Sequence, residues 1–416
     1  LVYILSKNGN PLMPTSRHGK VKHLLKDGMA KVVRRTPFTI QLLYDSPEYT
    51  QPITLGVDAG SKVVGLSATT EKKELFVSEI TLRDDIPELL STRRQNRRTR
   101  RNHLRYRMAR FLNRTASKKE GWLAPSIKHK VDSHLKVIGN VHRILPISRI
   151  VIETASFDIQ KIRNPEISGR EYQQGEQLGF WNTREYVLWR DKHECQHCHG
   201  KSKDRILNVH HKESRKTGGD SPGNLVTLCE TCQKSHHEGR IKLKLTPNKS
   251  YRHASFMGIM RWYVYNSLQE LYPEVSMTYG YITKNNRIRN NIEKTHSADA
   301  YCISGNMNAI RIDEIYNQVF KRKHNRQIHK ANFLKGGKKK LNQSAYEVKG
   351  FRLFDHVRYR DEDCFIFGRR ISGYFDLRKL DGSVVHRSAS FKELKLLKRQ
   401  NTILIERKGC NRVLLS

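Results

Sequence analysis

Two Cys-x-x-Cys pairs, Cys195/Cys198 and Cys229/Cys232, offer four thiolates to one tetrahedral zinc, although the 30 residues between the pairs exceed the usual loop. That loop must itself be folded. Inside it LNVHH reads as a strand carrying His210 and His211, KESRKTGGDSPGN as a turn, and LVTLCETCQKSHH as a strand running into a helix. A second set of chemistry-bearing residues is dispersed along the chain. Asp58 sits in ITLGVDAG and Glu153 ends RIVIE, both runs that read as buried strand, where a carboxylate needs a metal or a hydrogen-bonding reason. Asp299 lies in THSADAYC, with His296 three residues earlier on the same helical face. Taken singly, each acid also suits a capped or ion-paired structural residue, and the histidines suit the surface of a plain zinc module.

The strand, turn, strand and helix around the cysteines resemble the HNH nuclease family, whose pattern is His-His, Gly-Gly, Asn-Leu, Cys-x-x-Cys and a terminal His. Such chemistry needs one divalent metal beside the scissile phosphate and a base to activate water. The resemblance implies that His210 is a metal ligand, His211 the general base and Asn224 the residue that pins the loop and orients the base. A further ligand falls at Gln233, where histidine or asparagine is more usual; a Gln carbonyl ligates Mg²⁺ as an Asn does. His237, one helical turn on, is the alternative.

The elements that must position these residues follow from pattern. Residues 1–49 form a small basic α+β module, and 53–80 carry three β-rich runs joined by turns. RRQNRRTRRNHLRYRMARFLNR holds ten arginines: Arg93, Arg94, Arg97, Arg98, Arg100, Arg101, Arg105, Arg107, Arg110 and Arg114. Only the second half of that helix has an apolar stripe, Leu104, Met108 and Phe111. A helix pattern spans 127–145, a polar connector 159–182, a helix-strand-helix pattern 252–310 and a basic linker 321–343. From 346 the chain alternates apolar and polar residues with turns at Gly373 and Asp381-Gly382, as a small antiparallel barrel does.

Composition narrows the partners. Lys and Arg total 78 against 40 acids, a formal charge of +38 over 416 residues, so a polyanion is expected and nucleic acid leads ribosomes and anionic membranes. No apolar run reaches the roughly 18 residues of a spanning helix, and the beginning of the sequence lacks the h-region of a signal peptide. Cys302, Cys364 and Cys410 lack spacing logic and read as reduced thiols. The expectation is a cytoplasmic bacterial or archaeal protein, on the nucleoid when engaged, with no membrane partner.

Two strand acids and a later helix acid are the arrangement by which RNase H-like nucleases bind two metals. Here an HNH-like insert interrupts it. The order of Asp strand, Arg-rich helix, Glu strand, HNH insert and His-x-x-Asp helix resembles the split RuvC nuclease of IscB, the transposon-encoded relative of CRISPR type II effectors. Asn-Pro-Leu-Met-Pro at 10–14 with KVVRRTPFTIQL is similar to that family's PLMP domain, and HKANFLKGG at 329–337 to its C-terminal linker.

The resemblance implies an α+β multidomain chain. Its parts are a PLMP module at 1–49, RuvC-I at 50–82, an Arg-rich bridge helix at 83–118, and RuvC-II with a connector at 119–182. An HNH domain with a four-cysteine zinc site follows at 183–245, then RuvC-III at 246–315, a basic linker at 316–345 and a β-barrel at 346–416. It also implies a RuvC site of Asp58, Glu153, His296 and Asp299, with Mg²⁺ or Mn²⁺ at both nuclease sites. The implied partners are a structured ωRNA guide and double-stranded DNA bearing an adjacent motif, bound by one protein copy. HNH would cut the guide-paired strand and RuvC the displaced one. Candidate nucleic-acid contacts in the tail are Arg369 and Arg370, beside Arg352, Arg358, Arg360 and Arg378.

Overall fold

The computed structural model describes residues 1–101, 122–154, 182–212, 222–243, 252–322 and 345–409, with residues 100 and 252–256 described by backbone alone. Two compact units emerge, one of residues 1–155 with 258–416 and the other of residues 156–257.

The first unit is organised by a seven-stranded mixed sheet. Its strands lie in the order Val275–Thr278, Arg149–Glu153, Thr54–Asp58, Val63–Thr69, Glu74–Thr81, Glu314–Phe320 and Ile403–Gly409. Thr54–Asp58 runs parallel to Arg149–Glu153 and antiparallel to Val63–Thr69, so it is a central strand. Its apolar run follows from that position, because a strand covered on both faces buries consecutive side chains. Parallel pairing also aligns the ends of Thr54–Asp58 and Arg149–Glu153, which brings Asp58 and Glu153 to one edge of the sheet.

Helix His296–Ser304 lies flush on this sheet because two glycines let it. A Cβ on Gly56 would stand 2.0 Å from the Ala300 carbonyl oxygen, and one on Gly65 would stand 1.9 Å from that of His296. Gly65 is the cross-strand partner of Asp58. The absent side chain therefore seats the first turn of the helix over the edge that carries the acids.

The N-terminal sheet has the order Pro11–Thr15, Val2–Leu5, Phe38–Leu42 and Ala30–Arg35. Helix His18–Lys26 contributes Val21 to a small core with Val2, Leu12, Ile40 and Leu42. Buried Tyr3 donates its hydroxyl to the Leu75 carbonyl at 2.9 Å, tying this module to the large sheet.

Near the C-terminus five antiparallel strands run in the order Val384–Ser390, Tyr374–Arg378, Glu362–Arg369, His356–Tyr359 and Leu394–Lys398. Val357, Ile366, Phe375 and Leu377 form their core. The 346–416 segment does not stay together: Ile403–Gly409 leaves this sheet and pairs antiparallel with Glu314–Phe320 in the large one. Local alternation identifies a strand but not its partner, so the sequence alone assigned it to the tail.

In the second unit, helix Thr183–Arg190 begins at Asn182, whose side chain accepts the Glu185 amide at 2.9 Å. An antiparallel hairpin follows, Leu207–His211 with Leu225–Cys229, and runs into helix Glu230–His237. Buried Asp191 fastens these parts, pairing with Arg190 and accepting the Thr227 amide at 2.8 Å.

Candidate functional site

At the edge of the large sheet Asp58 is 6% exposed and its Oδ2 lies 2.6 Å from His296 Nδ1. The hydrogen bond from the imidazole to Asp58 raises the His296 pKa, against the opposing effect of burial. Helix His296–Ser304 is fixed at its start by two caps: Thr295 accepts the Ala298 amide, and Glu79 accepts the Ser297 amide at 2.9 Å. Asp299 follows one turn after His296 and pairs with Arg287 at 3.2 Å.

Two arginines that the sequence reading passed over organise the acids. Arg261, itself buried, places Nη1 3.1 Å from Glu153 Oε1 and donates Nε to the Ala59 carbonyl at 3.0 Å. One guanidinium thus links the residue after Asp58 to Glu153. Arg287 does the same service for Asp299. In a chain with 78 cations, an arginine on a helix carries no signal that marks it out.

The electrostatics are those of acids crowded in a poorly solvated place. Burial raises the Glu153 pKa, opposed by Arg261 and reinforced by Asp58. Burial and the Asp58 charge raise Asp299 as well. A divalent cation would relieve both effects, since hard carboxylate oxygens suit Mg²⁺ or Mn²⁺. His134, fully buried and near enough to Asp58 to feel its charge, is pushed down to about 4 by burial, and its Nδ1 lies 2.7 Å from the Lys130 carbonyl. A neutral imidazole there donates that proton and adds no charge to the acid cluster.

Arg261→Gln is expected to destabilise the metal-free protein by about 3 kcal/mol, because a buried carboxylate loses its counter-charge. It should also enlarge the stabilisation that Mg²⁺ gives, since the metal then replaces the arginine. Thermal unfolding in chelator and in excess Mg²⁺ measures both effects. An equal Mg²⁺ response in the two proteins would remove Glu153 from the metal site.

In the second unit the four cysteine sulfurs all lie within 4.8 Å of one another, which no other group of three or more such ligands achieves among the described residues. Cys198 Sγ and Cys229 Sγ are 3.8 Å apart. A tetrahedron with zinc–sulfur bonds of about 2.3 Å separates its sulfurs by about 3.8 Å. Burial opposes the Cys198 thiolate, but hydrogen bonds from Ser202 and the adjacent sulfurs bring its pKa down to about 6. Burial and the sulfurs of Cys229, Cys198 and Cys195 push Cys232 far up. Four sulfurs this close cannot all ionise without a cation, so the quartet fits zinc.

Across the hairpin from the quartet, His210 meets two rings of helix Glu230–His237. The centroid of His236 is 5.2 Å away and that of His237 5.4 Å. Burial, then the charges of His236, His237 and His211, lower the His210 pKa, so its ring is held neutral with a lone pair to share. His236 Nδ1 lies 3.3 Å from the Ile241 carbonyl, an arrangement that leaves Nε2 as the acceptor. His236 was missed in the sequence because the doublet SHH offered no reason to prefer its first member. Gln233 is half-buried on the preceding turn of that helix. Asn224 is 1% exposed in the turn Pro222–Asn224, and its carbonyl accepts the Lys212 amide at 2.7 Å, closing the hairpin beside His211.

Residues 195–239, which hold the quartet, His210, His211 and the helix, match the HNH endonuclease family. Residues 2–175 match the family described as RRXRR protein, and that pattern stands in the chain as Arg97-Arg98-Thr99-Arg100-Arg101. The chain thus carries an RRXRR region followed by an HNH endonuclease domain. Among solved structures, this chain is similar to Streptococcus thermophilus Cas9 in complex with the GGAA PAM, at 16% identity and a TM-score of 0.34. That match covers 51% of this chain and 30% of that one. The type II-C Cas9 enzyme from Actinomyces naeslundii matches at 12% identity and a TM-score of 0.25, covering 62% of this chain and 60% of that one. Likeness at this level carries no argument about activity. No curated protein sequence matches this chain.

The arginines fall into groups. Helix Ile86–Arg101 has Arg93, Arg94, Arg97 and Arg98 exposed or half-exposed and Arg101 half-exposed, with Glu88 as its one acid. The side chain of Arg100, and Arg105, Arg107, Arg110 and Arg114 altogether, lie outside the described residues, as does the HKANFLKGG linker. In the tail, Arg352, Arg358, Arg360 and Arg378 pair with Glu347, Asp363, Glu393 and Asp376. Arg369 and Arg370 instead donate to neutral oxygens, the Tyr346 carbonyl and the Ser388 hydroxyl. No helix among the described residues is long and apolar enough to cross a membrane.

Proposed function

We propose that this chain is an ωRNA-guided endonuclease of double-stranded DNA, with an HNH site that cuts the guide-paired strand and a RuvC-like site that cuts the displaced strand. The observation that carries the reading is the placement of Asp58, Glu153 and the His296–Asp299 turn at one end of the large sheet, with Asp58 and His296 in contact at 2.6 Å and the HNH domain inserted between Glu153 and His296. Two hydrolytic sites on one chain match the two strands of a duplex. The arginines of Ile86–Arg101, with one acid among them, suit a polyphosphate rather than a protein surface.

At the RuvC-like site Asp58, Glu153 and Asp299 would hold the metal; at the HNH site His210 would, with His237, His236 or Gln233. Mg²⁺ or Mn²⁺ supplies charge neutralisation at the phosphate and a more acidic water. The chain's own residues do the rest. His296 orients Asp58 and holds a proton against it; Arg261 and Arg287 hold the other two acids in register. His211 takes the proton of the attacking water, and the Asn224 turn fixes the strand end that carries it. Guide pairing reads target sequence in this scheme, while protein reads duplex geometry and the adjacent motif, with Arg369 and Arg370 as candidate contacts.

Co-expression with the flanking noncoding DNA, purification through a high-salt wash and sequencing of the retained RNA test the reading. One discrete structured RNA is expected, and DNA matching its variable end should be cut on both strands. Recovery of no discrete RNA, with DNA cutting intact in Mg²⁺, would make the chain a protein-only HNH nuclease.

A further inference from the structure

A pocket of about 180 Å³ lies in the first unit, and none of the acid-cluster residues lines it. The N-terminal sheet, helix Pro125–His142 and the strands Glu314–Phe320 and Leu394–Lys398 all contribute to it. Phe76, Val141 and Ile403 give it an apolar lining, Arg34 and Lys398 stand in its wall, and none of its lining residues is acidic.

Lys398 is held in place. Lys398 Nζ donates to the Thr36 carbonyl at 2.7 Å, and the neighbouring Arg35 guanidinium donates to the Leu397 carbonyl. The turn after Arg34 and the strand end at Lys398 are thereby clamped together, which keeps both residues at the wall of the pocket. Burial and then the Arg34 charge push Lys398 down to about 8. Burial and then Arg143 lower Arg34. Burial is the larger cause of each shift, and no acidic side chain lines the pocket to offset either charge. Such charge disfavours the empty pocket and favours an anion.

The shape of the donors selects the anion. A planar Arg fork beside a Lys point charge is the usual pair for a tetrahedral phosphate, and a net charge of +38 draws polyanions to the surface. We propose that this pocket is a phosphate site, in which Arg34 and Lys398 grip one backbone phosphate of bound nucleic acid where the N-terminal module meets the C-terminal strands. The grip depends on neither nuclease centre.

The test is binding of a labelled single-stranded RNA by the full chain, stripped of nucleic acid at high salt, across a salt series. Lys398→Gln is expected to weaken binding about tenfold at low salt and to flatten the log Kd against log salt slope by about 0.7, the loss of one phosphate contact. Arg34→Gln should do the same, and Lys398→Arg should retain binding. Lys395→Gln removes an exposed cation from the same strand and should change Kd by less than about twofold, since a scattered surface charge is screened. Glutamine variants at 34 and 398 that behave like Lys395→Gln would overturn the site. If Lys398→Gln loses its cooperative thermal transition, Arg34→Gln decides, because its side chain is outside the Thr36–Lys398 hydrogen bond. Inorganic phosphate that raises the Lys398 titration while both variants bind RNA normally would mark a free-anion site and overturn the nucleic-acid assignment. Normal RNA binding by these variants would overturn the phosphate site without bearing on guided cleavage, and absence of guided cleavage would leave the salt-slope comparison decisive for the site.

Discussion

Asp58→Ala is expected to slow cutting of the displaced strand by about a thousandfold or more while the guide-paired strand is cut at its normal rate. The reason is the position of Asp58 at three junctions at once. It ends the central strand, it faces Gly65 across the sheet, and it accepts the His296 imidazole at 2.6 Å. Alanine removes the carboxylate and leaves His296 without its orienting partner, while Glu153 and Asp299 remain on Arg261 and Arg287. The complementary variant His211→Ala takes away a general base, a loss of about 10²–10⁴ in rate, from the other strand only. Separate labels on the two strands of a matched duplex, read on a denaturing gel with the RNA-loaded protein, give both rates. Cutting of both strands by either single variant would end the two-site assignment.

The candidate residues were legible because their types stand out against the local pattern. An aspartate at the end of TLGVD and a glutamate at the end of RIVIE break runs that are otherwise apolar, and the helix His296–Ser304 sets His and Asp at one-turn spacing. What stayed hidden has a common cause. Arg261 meets Glu153 from more than 100 residues away in the chain, and nothing local distinguishes it or Arg287. His236 and His237 compete for His210 by the pitch of one short helix, which spacing alone does not settle. The pairing of Ile403–Gly409 with Glu314–Phe320 is likewise a long-range choice, made by which sheet edge is open rather than by the strand's own pattern.

Removal of zinc is expected to unfold the second unit and with it to abolish cutting of the guide-paired strand, leaving displaced-strand chemistry in place. Among the described residues the module's own apolar core is meagre. Around the quartet it consists of Val226 and Leu228 with partly buried Leu207, Ile241 and Leu243, and a second patch joins Tyr186, Val187, Leu225 and Val209. Cores this small need a staple, and a structural zinc contributes on the order of 10 kcal/mol or more of apparent folding free energy. Cys229 ends the hairpin strand and Cys232 lies in the first turn of the following helix, so the metal would join the strand that pairs with His210 to the helix that carries His236 and His237. Cys232→Ser should therefore lose bound zinc, raise hydrogen exchange across 207–237 toward unfolded rates and eliminate the guide-paired cut. Metal content by mass spectrometry and exchange of the same sample measure the first two. A Cys232→Ser protein that keeps slow exchange through 207–237 without zinc would show that the histidine cluster and Asp191 hold the module unaided, and the quartet would then be no more than four reduced thiols in contact.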